Sequence, residues 1–437
     1  PASFSSFCDQ KMSKRSSVTS AFVFFFLFQT ALGAIPPSTT HFKQAERNEH
    51  KPGGQHSHSK RANRYSFLHP SPALDLDEEL NFKVGQAVFE KIWVFSPSST
   101  TASDGLGPLY NARSCHRCHI NNGRGQEPGL KAETTGTSKS PVSLFLRLSI
   151  KPTTPEHFAQ LKSNKMGLIP EPTYGTQLQT FAYPGGQAEG QLAVTYEPID
   201  IQLNEKIITL QKPNYQISDL GYGPMHPDTQ FSPRMTPPMI GLGLLEAIDE
   251  QDLRSLADPD DKNQDGISGK LNMVWDLENQ QETVGRFGWK AGKASLLQQN
   301  GAALNGDIGI GSLLFPNPAG DCTTAQTNCY KQAHGNSAIH DNVEASKTMT
   351  ELLLHYSRYV AVPSRRNANN PEVLEGKKLF YQASCNRCHQ ANYITASNAA
   401  SKILSNQLIW PYTDLLLHDM GEGLADDRAE FEANGRE

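Results

Sequence analysis

Two short stretches place cysteine and histidine at a spacing that can do chemistry. Cys115-His116-Arg117-Cys118-His119 and Cys385-Asn386-Arg387-Cys388-His389 are both C-x-x-C-H, the attachment sequence of a c-type haem. In that pattern two thiols form thioethers with the haem vinyl groups, and the adjoining imidazole is placed to ligate the iron. Cys115, Cys118, Cys385 and Cys388 are therefore candidates for covalent attachment, and His119 and His389 for axial ligation. A zinc site built from the two C-x-x-C pairs would close on four ligands and leave both trailing histidines unexplained. A thioredoxin-like redox pair is the other alternative, and it does not account for the histidines either.

Further candidates follow from what a pair of haems needs. Met420, in the loop-like stretch His418-Asp419-Met420-Gly421-Glu422-Gly423, offers a thioether to the sixth position of the second haem, where it would raise the potential. His418 is its nearest competitor, and the plain alternative is a packing methionine. Glu246 stands in the otherwise apolar run Leu242 to Ile248; a carboxyl buried there would have a raised pKa suited to moving a proton. The alternative is a carboxylate on the rim of a helix. Trp289, ahead of Trp275, is the candidate aromatic relay between haems, against the commoner core tryptophan.

Two further patterns stand apart from the haem motifs. Asp261-x-Asn263-x-Asp265-Gly266-Ile267-Ser268 has the oxygen spacing of a calcium loop, with the Asp261, Asn263 and Asp265 side chains and the Ile267 carbonyl as ligands. Position 12 is Asn272 rather than a bidentate glutamate, so the loop is an incomplete EF-hand, and a solvated acidic turn is the alternative. Cys322 and Cys329 enclose a small loop and are expected to form a disulfide in an exported protein; they lack the C-x-x-C spacing of a redox pair.

The elements that must position these residues are legible in part. Phe82, Val84, Val88, Phe89 and Ile92 fall near helical spacing, which predicts a helix over Leu80 to Val94 with Asp77 as its N-cap. Met239 to Leu253 resumes a helical pattern, and further helices are expected from Ala345 and over Pro371 to Tyr381. The lead-ins to the motifs echo each other, Val84-Gly85-Gln86-Ala87-Val88-Phe89 before the first and Leu374-Glu375-Gly376-Lys377-Lys378-Leu379-Phe380 before the second. They read as an internal repeat of one cytochrome c unit. Between Val142 and Tyr215 the texture turns to strand, notably Ser143 to Ile150, Gln191 to Tyr196 and Glu205 to Gln211.

The N-terminal stretch has the parts of an export signal. Met12-Ser13-Lys14-Arg15 is basic, Ala21 to Phe28 is apolar, and Ala31-Leu32-Gly33-Ala34 offers small residues for cleavage. The apolar run is too short to span a membrane, so no stable span is expected after cleavage. A periplasmic location follows, and it agrees with haem attachment. With 437 residues, 37% of them hydrophobic and 19% charged, the chain is an ordinary globular one of two or three domains. A formal charge of −5 gives no reason to expect nucleic acid as a partner.

The expected architecture is mainly α, two cytochrome c-like haem domains with an inserted β-rich region. Residues 1–34 are upstream sequence plus signal, and 35–65, with few apolar side chains, a disordered linker. Residues 66–344 form the first haem domain, with the β-rich insertion at about 142–215 and the calcium loop. Residues 345–437 form the second, which stops soon after His389 and is expected to lack its C-terminal end.

The residues around the motifs resemble the bacterial di-haem cytochrome c oxidoreductases, a peroxidase-like family also labelled thiol oxidoreductases and distantly related to di-haem cytochrome c peroxidases. The resemblance is carried by Asp104-Gly105-Leu106-Gly107-Pro108-Leu109-Tyr110-Asn111, by Ile120-Asn121-Asn122-Gly123-Arg124-Gly125 and by Ser232-Pro233-Arg234 through Pro237-Pro238 to Ile248. Gly285-Arg286-Phe287-Gly288-Trp289-Lys290 and His418-Asp419-Met420-Gly421 complete it. It implies two covalent haems c with divided labour, peroxide reduced at one and electrons passed through the other from a small redox protein, and calcium between the haem domains. The alternatives are a non-catalytic electron-transfer protein and a haem enzyme that oxidises a residue of a partner protein.

Overall fold

The computed structural model describes residues 34–126 and 143–437; most of the expected export signal lies outside them. Eight α-helices occur among the described residues: α1 (Leu76–Glu90), α2 (Cys115–Cys118), α3 (Pro155–Lys162), α4 (Leu242–Glu246), α5 (Glu250–Leu256), α6 (Leu296–Ala303), α7 (Lys347–Tyr359) and α8 (Pro371–Gln382). The N-cap of α1 is Asp75, two residues before the expected Asp77. Asp75 accepts the Glu78 amide while Glu78 reaches back to the Asp75 amide, a reciprocal box that Asp77, with Leu80 three residues on, cannot make.

α1 and α7 form the helical centre. Phe82 and Phe89 are buried and their rings lie 4.8 and 5.1 Å from that of Tyr356 on α7. Between them Gly85 meets α7 so closely that a Cβ would stand 2.2 Å from the Leu352 carbonyl oxygen. Only glycine permits that approach in a close-packed interior. On α8, Gly376 and Phe380 repeat the spacing of Gly85 and Phe89, but a Cβ at Gly376 would meet nothing within 4 Å. The lead-in repeat therefore extends to sequence and to the aromatic ring, not to the helix packing.

The strand-like region is built as two-stranded pieces. Leu144–Ile150 pairs antiparallel with Thr229–Met235 along its whole length, and its inward residues Leu144, Leu146 and Leu148 pack with Tyr174, Leu178 and Leu192. Gln191–Leu203 and Lys206–Ser218 pair as a long ribbon. The strands thus run to Met235, past the expected limit at Tyr215.

The expectation of a mainly α fold is overturned: 25% of the chain is helix and 21% strand, with much of the remainder coil. The reason is visible in the composition, since 34 glycines and 28 prolines interrupt helical runs. The expected Met239 to Leu253 helix divides into α4 and α5 because Asp249 leaves the helix and caps the Gln251 amide.

The segment expected to be a loose tether is packed. Glu49 is 1% exposed and accepts Lys377 Nζ at 2.8 Å and also Arg365, and Ser57–His58 pairs with Val362–Pro363. Its polar composition hid a buried ion pair with a partner 328 residues away. The described residues form one compact unit, so the expected boundary at 344/345 is not a break in packing; α7, just beyond it, belongs with α1.

Candidate haem sites

The first motif folds as a single helical turn. Ser114 is extended, Cys115–Cys118 closes the turn, and the His119 amide returns to the Cys115 carbonyl at 3.0 Å. A spacing of three residues brings the two cysteines to one side of the turn. Asn121 and Asn122, with φ of 53° and 59°, then reverse the chain in the left-handed region that asparagine tolerates. Asn122 is fully buried. It donates to the Phe67 carbonyl at 2.8 Å, accepts the Tyr356 hydroxyl at 2.9 Å, and its own carbonyl accepts the Met239 amide at 2.9 Å.

That last bond ties the motif to the loop that orients its histidine. His119 Nδ1 lies 3.0 Å from the carbonyl oxygen of Pro237. A carbonyl can only accept, so Nδ1 carries the proton and Nε2 keeps its lone pair. Burial pushes the His119 pKa down to about 4, against the opposing pull of the Pro237 carbonyl. The imidazole is thus neutral at ordinary pH, the form that binds a metal, and Phe89 stands 5.9 Å from it.

The thiols are not activated as redox nucleophiles. Burial, with Asp307 nearby adding to it, pushes Cys115 up to about 12 and raises Cys118 as well. A thioredoxin-like pair needs a lowered thiol pKa, so the environment opposes that alternative.

The second motif repeats the essential relationship with a different frame. Ser384, at φ 60°, opens a 3-10 turn over Cys385–Arg387, and the His389 amide returns to Cys385 at 2.9 Å. His389 Nδ1 lies 3.0 Å from the carbonyl oxygen of Tyr412, and Phe380 stands 6.1 Å away. Both histidines therefore have Nδ1 fixed on a main-chain carbonyl and an aromatic ring from the lead-in helix beside them. Two thiols and an oriented imidazole, with a neighbouring aromatic ring, form a set of residues that fits a haem at each motif.

Residues 47–437 match a family described as di-haem oxidoreductase, putative peroxidase. The chain belongs to that family. No match was found among curated proteins or among solved structures. The match spans both C-x-x-C-H motifs of this di-haem oxidoreductase.

Around the second motif the structure places His418 beside Cys388. His418 Nδ1 is 3.8 Å from Cys388 Sγ, and its Nε2 donates to the buried Asp414 carboxylate at 2.8 Å. Met420 is 58% exposed, and its amide donates to the Arg436 carbonyl at 3.0 Å. Arg387, between the motif cysteines, is held by the side chain and carbonyl of Asp265, each at 3.2 Å.

Asp265 belongs to the expected calcium loop, and the loop's oxygens are otherwise turned onto its own backbone. Asp261 accepts the amides of Asp265 and Gly266, Asn263 accepts that of Asp265, and Asp265 accepts that of Ile267. Among the described residues no group of three or more His, Cys, Asp and Glu side chains is arranged to hold a metal ion.

Glu246 lies between helices rather than at a motif. One of its oxygens accepts the Leu296 amide at the start of α6, and the other accepts Arg358 Nε of α7 at 2.6 Å. Trp289 Nε1 donates to the Met235 carbonyl at 2.7 Å, two residues from the Pro237 carbonyl that orients His119, and Arg124 lies over its ring at 5.9 Å. It is half exposed. Cys322 and Cys329 are joined as a disulfide. Two cavities, one lined by residues including Leu161 and Phe431 and the other by Asp228 and Asp426, include no motif residue.

Sequence reasoning gave no site role to Pro237, Tyr412 or Asp414. The first two act through main-chain carbonyls, which every residue has, so no side-chain signal marks them. Asp414 lies four residues before His418, a spacing that becomes informative only once the loop path is known.

Proposed function

We propose that this di-haem oxidoreductase is an exported c-type cytochrome that reduces peroxide at one haem with electrons delivered through the other by a small redox protein. The observation that supports it most is the matched pair of histidines, each with Nδ1 bonded to a carbonyl and each directly after two cysteines. A haem held there would supply the redox chemistry, one-electron transfer and reduction of peroxide.

The chain's own residues do the positioning. Cys115, Cys118, Cys385 and Cys388 would hold the two haems through thioethers and His119 and His389 would ligate their irons, with Pro237 and Tyr412 fixing the histidine tautomers. Asp414 orients His418, which with Met420 is a candidate further residue to hold the second haem. The exposed indole of Trp289, hydrogen-bonded beside the His119 loop, is suited to passing electrons to or from the first haem. Met12 to Ala34 supplies the export signal that delivers the chain to the periplasm.

Peroxide added to the reduced, purified holoprotein tests the reading. Reoxidation within seconds, blocked by cyanide, is the expected result. An unchanged spectrum together with no cyanide binding contradicts peroxidase function and leaves electron transfer alone.

A further inference from the structure

The ribbon of Gln191–Leu203 and Lys206–Ser218 changes its apolar face halfway along. Side chains alternate across a strand, so the cross-strand register sorts them into two faces. Near the base, Leu192, Val194 and Ile217 lie on one face and pack on the core of the Leu144–Ile150 strand. Toward the tip that face becomes largely polar, with Asp200 accepting the Thr209 hydroxyl and Ile207, opposite Gln202, its one aliphatic side chain beyond Pro198. The opposite face then becomes aliphatic: Ile199 pairs with Leu210 and Ile201 with Ile208, and Leu203 follows. These five side chains are between 41% and 57% exposed. A two-stranded ribbon is marginally stable alone in water, and a switch of apolar face away from the body serves a surface outside it.

From this we infer that the ribbon tip is a homodimer contact, in which two copies lay their aliphatic tip faces together about a two-fold axis running along the ribbon. The charges on that face select this occupant and arrangement. Glu197 stands directly across from Lys212 at the inner end of the aliphatic patch, on the same face. The two-fold axis along the ribbon puts Glu197 over the partner's Lys212 twice, with Ile199 over the partner's Leu210 and Ile201 over the partner's Ile208. An axis across the ribbon would set Lys212 against the partner's Lys206. Pairing the tips with their charged margins removes on the order of 1,000 Å² from water, the lower bound for a specific interface. A crossing angle of about 30° between packed sheets directs the two bodies apart.

Sedimentation of the haem-loaded protein over a range of concentrations tests this. The wild type is expected to form a reversible dimer. The pair Ile201→Asp and Ile208→Asp should weaken it by more than about 10-fold while leaving haem absorbance and far-ultraviolet circular dichroism unchanged. Glu197→Lys should weaken it too, and adding Lys212→Glu should restore it. A wild type that stays monomeric to its solubility limit overturns the proposal, as does a dimer unaffected by the double Asp variant. Binding of the monomer to anionic phospholipid vesicles, abolished by the same variant, would assign the face to a lipid surface and also overturn it.

Discussion

His119 Nδ1 lies 3.0 Å from the carbonyl oxygen of Pro237, and this hydrogen bond leaves Nε2 as the only ring nitrogen free to ligate a metal. Replacing the ring should remove the ligand without removing the thiols. In His119→Ala the first haem is expected to remain covalently attached but to lose its imidazole-ligated spectrum, and added imidazole should restore it. A His119→Ala protein with the wild-type spectrum of both haems would contradict the assignment.

His418 and Met420 are two residues apart and make different predictions for the second haem. Exchanging a sixth ligand alters the potential. His418 is held beside Cys388 by Asp414, so His418→Ala is expected to shift that haem's midpoint, with Asp414→Asn producing a smaller shift in the same direction. Met420→Ala should leave the midpoint near wild type. Redox titration of the three variants decides it, and a large shift confined to Met420→Ala would make the thioether the ligand.

Both oxygens of Glu246 are engaged, one capping α6 and one on Arg358. Glu246→Gln is therefore expected to cost about 2 kcal/mol of stability, read as a lower thermal midpoint, while peroxide turnover stays within a few-fold. A loss of about 100-fold in turnover with the midpoint unchanged would instead place Glu246 in proton transfer.

Acid should loosen the C-terminal segment first. Burial works against the Glu430 carboxylate, but Arg428 and Lys293 beside it outweigh burial and hold its pKa well below the ordinary glutamate value. Asp426 is lowered in the same way, Lys290 and Ser232 bonding to it and Arg234 adding its charge. A carboxylate with a depressed folded pKa contributes stability that is full above its unfolded pKa and is lost as pH falls toward the folded value. Thermal midpoints should therefore be flat near neutrality and fall below about pH 4.5. Glu430→Gln should cost about 3 kcal/mol at pH 7, because Arg428 and Lys293 are left without it, and should flatten the acid limb. An acid limb unchanged in this variant would contradict the role of Glu430.

The parts legible in the sequence were those encoded locally. C-x-x-C-H carries its chemistry within five residues, and the regions of α1, α7 and α8 are legible in the sequence, although the cap of α1 is Asp75 and not the expected Asp77. The first strand of the Leu144 to Met235 pair was legible by alternation, whereas its partner, broken by Pro233, was not. Fold class failed because the helices are short and the sheets are separate ribbons, a property of how segments meet rather than of any one segment. Glu49 shows the same limit: among polar neighbours it looks like linker, and its burial depends on Lys377 far along the chain. The histidine-orienting carbonyls of Pro237 and Tyr412 belong to the main chain and leave no mark in residue type.

The most direct test of the central claim is the intact mass of the denatured holoprotein, because only covalently attached haem survives denaturation. The account predicts two haems on the wild type. It predicts one on the Cys115→Ser/Cys118→Ser variant and one on the Cys385→Ser/Cys388→Ser variant. A wild type that releases its haem on denaturation, or a double variant that still carries two, would contradict it.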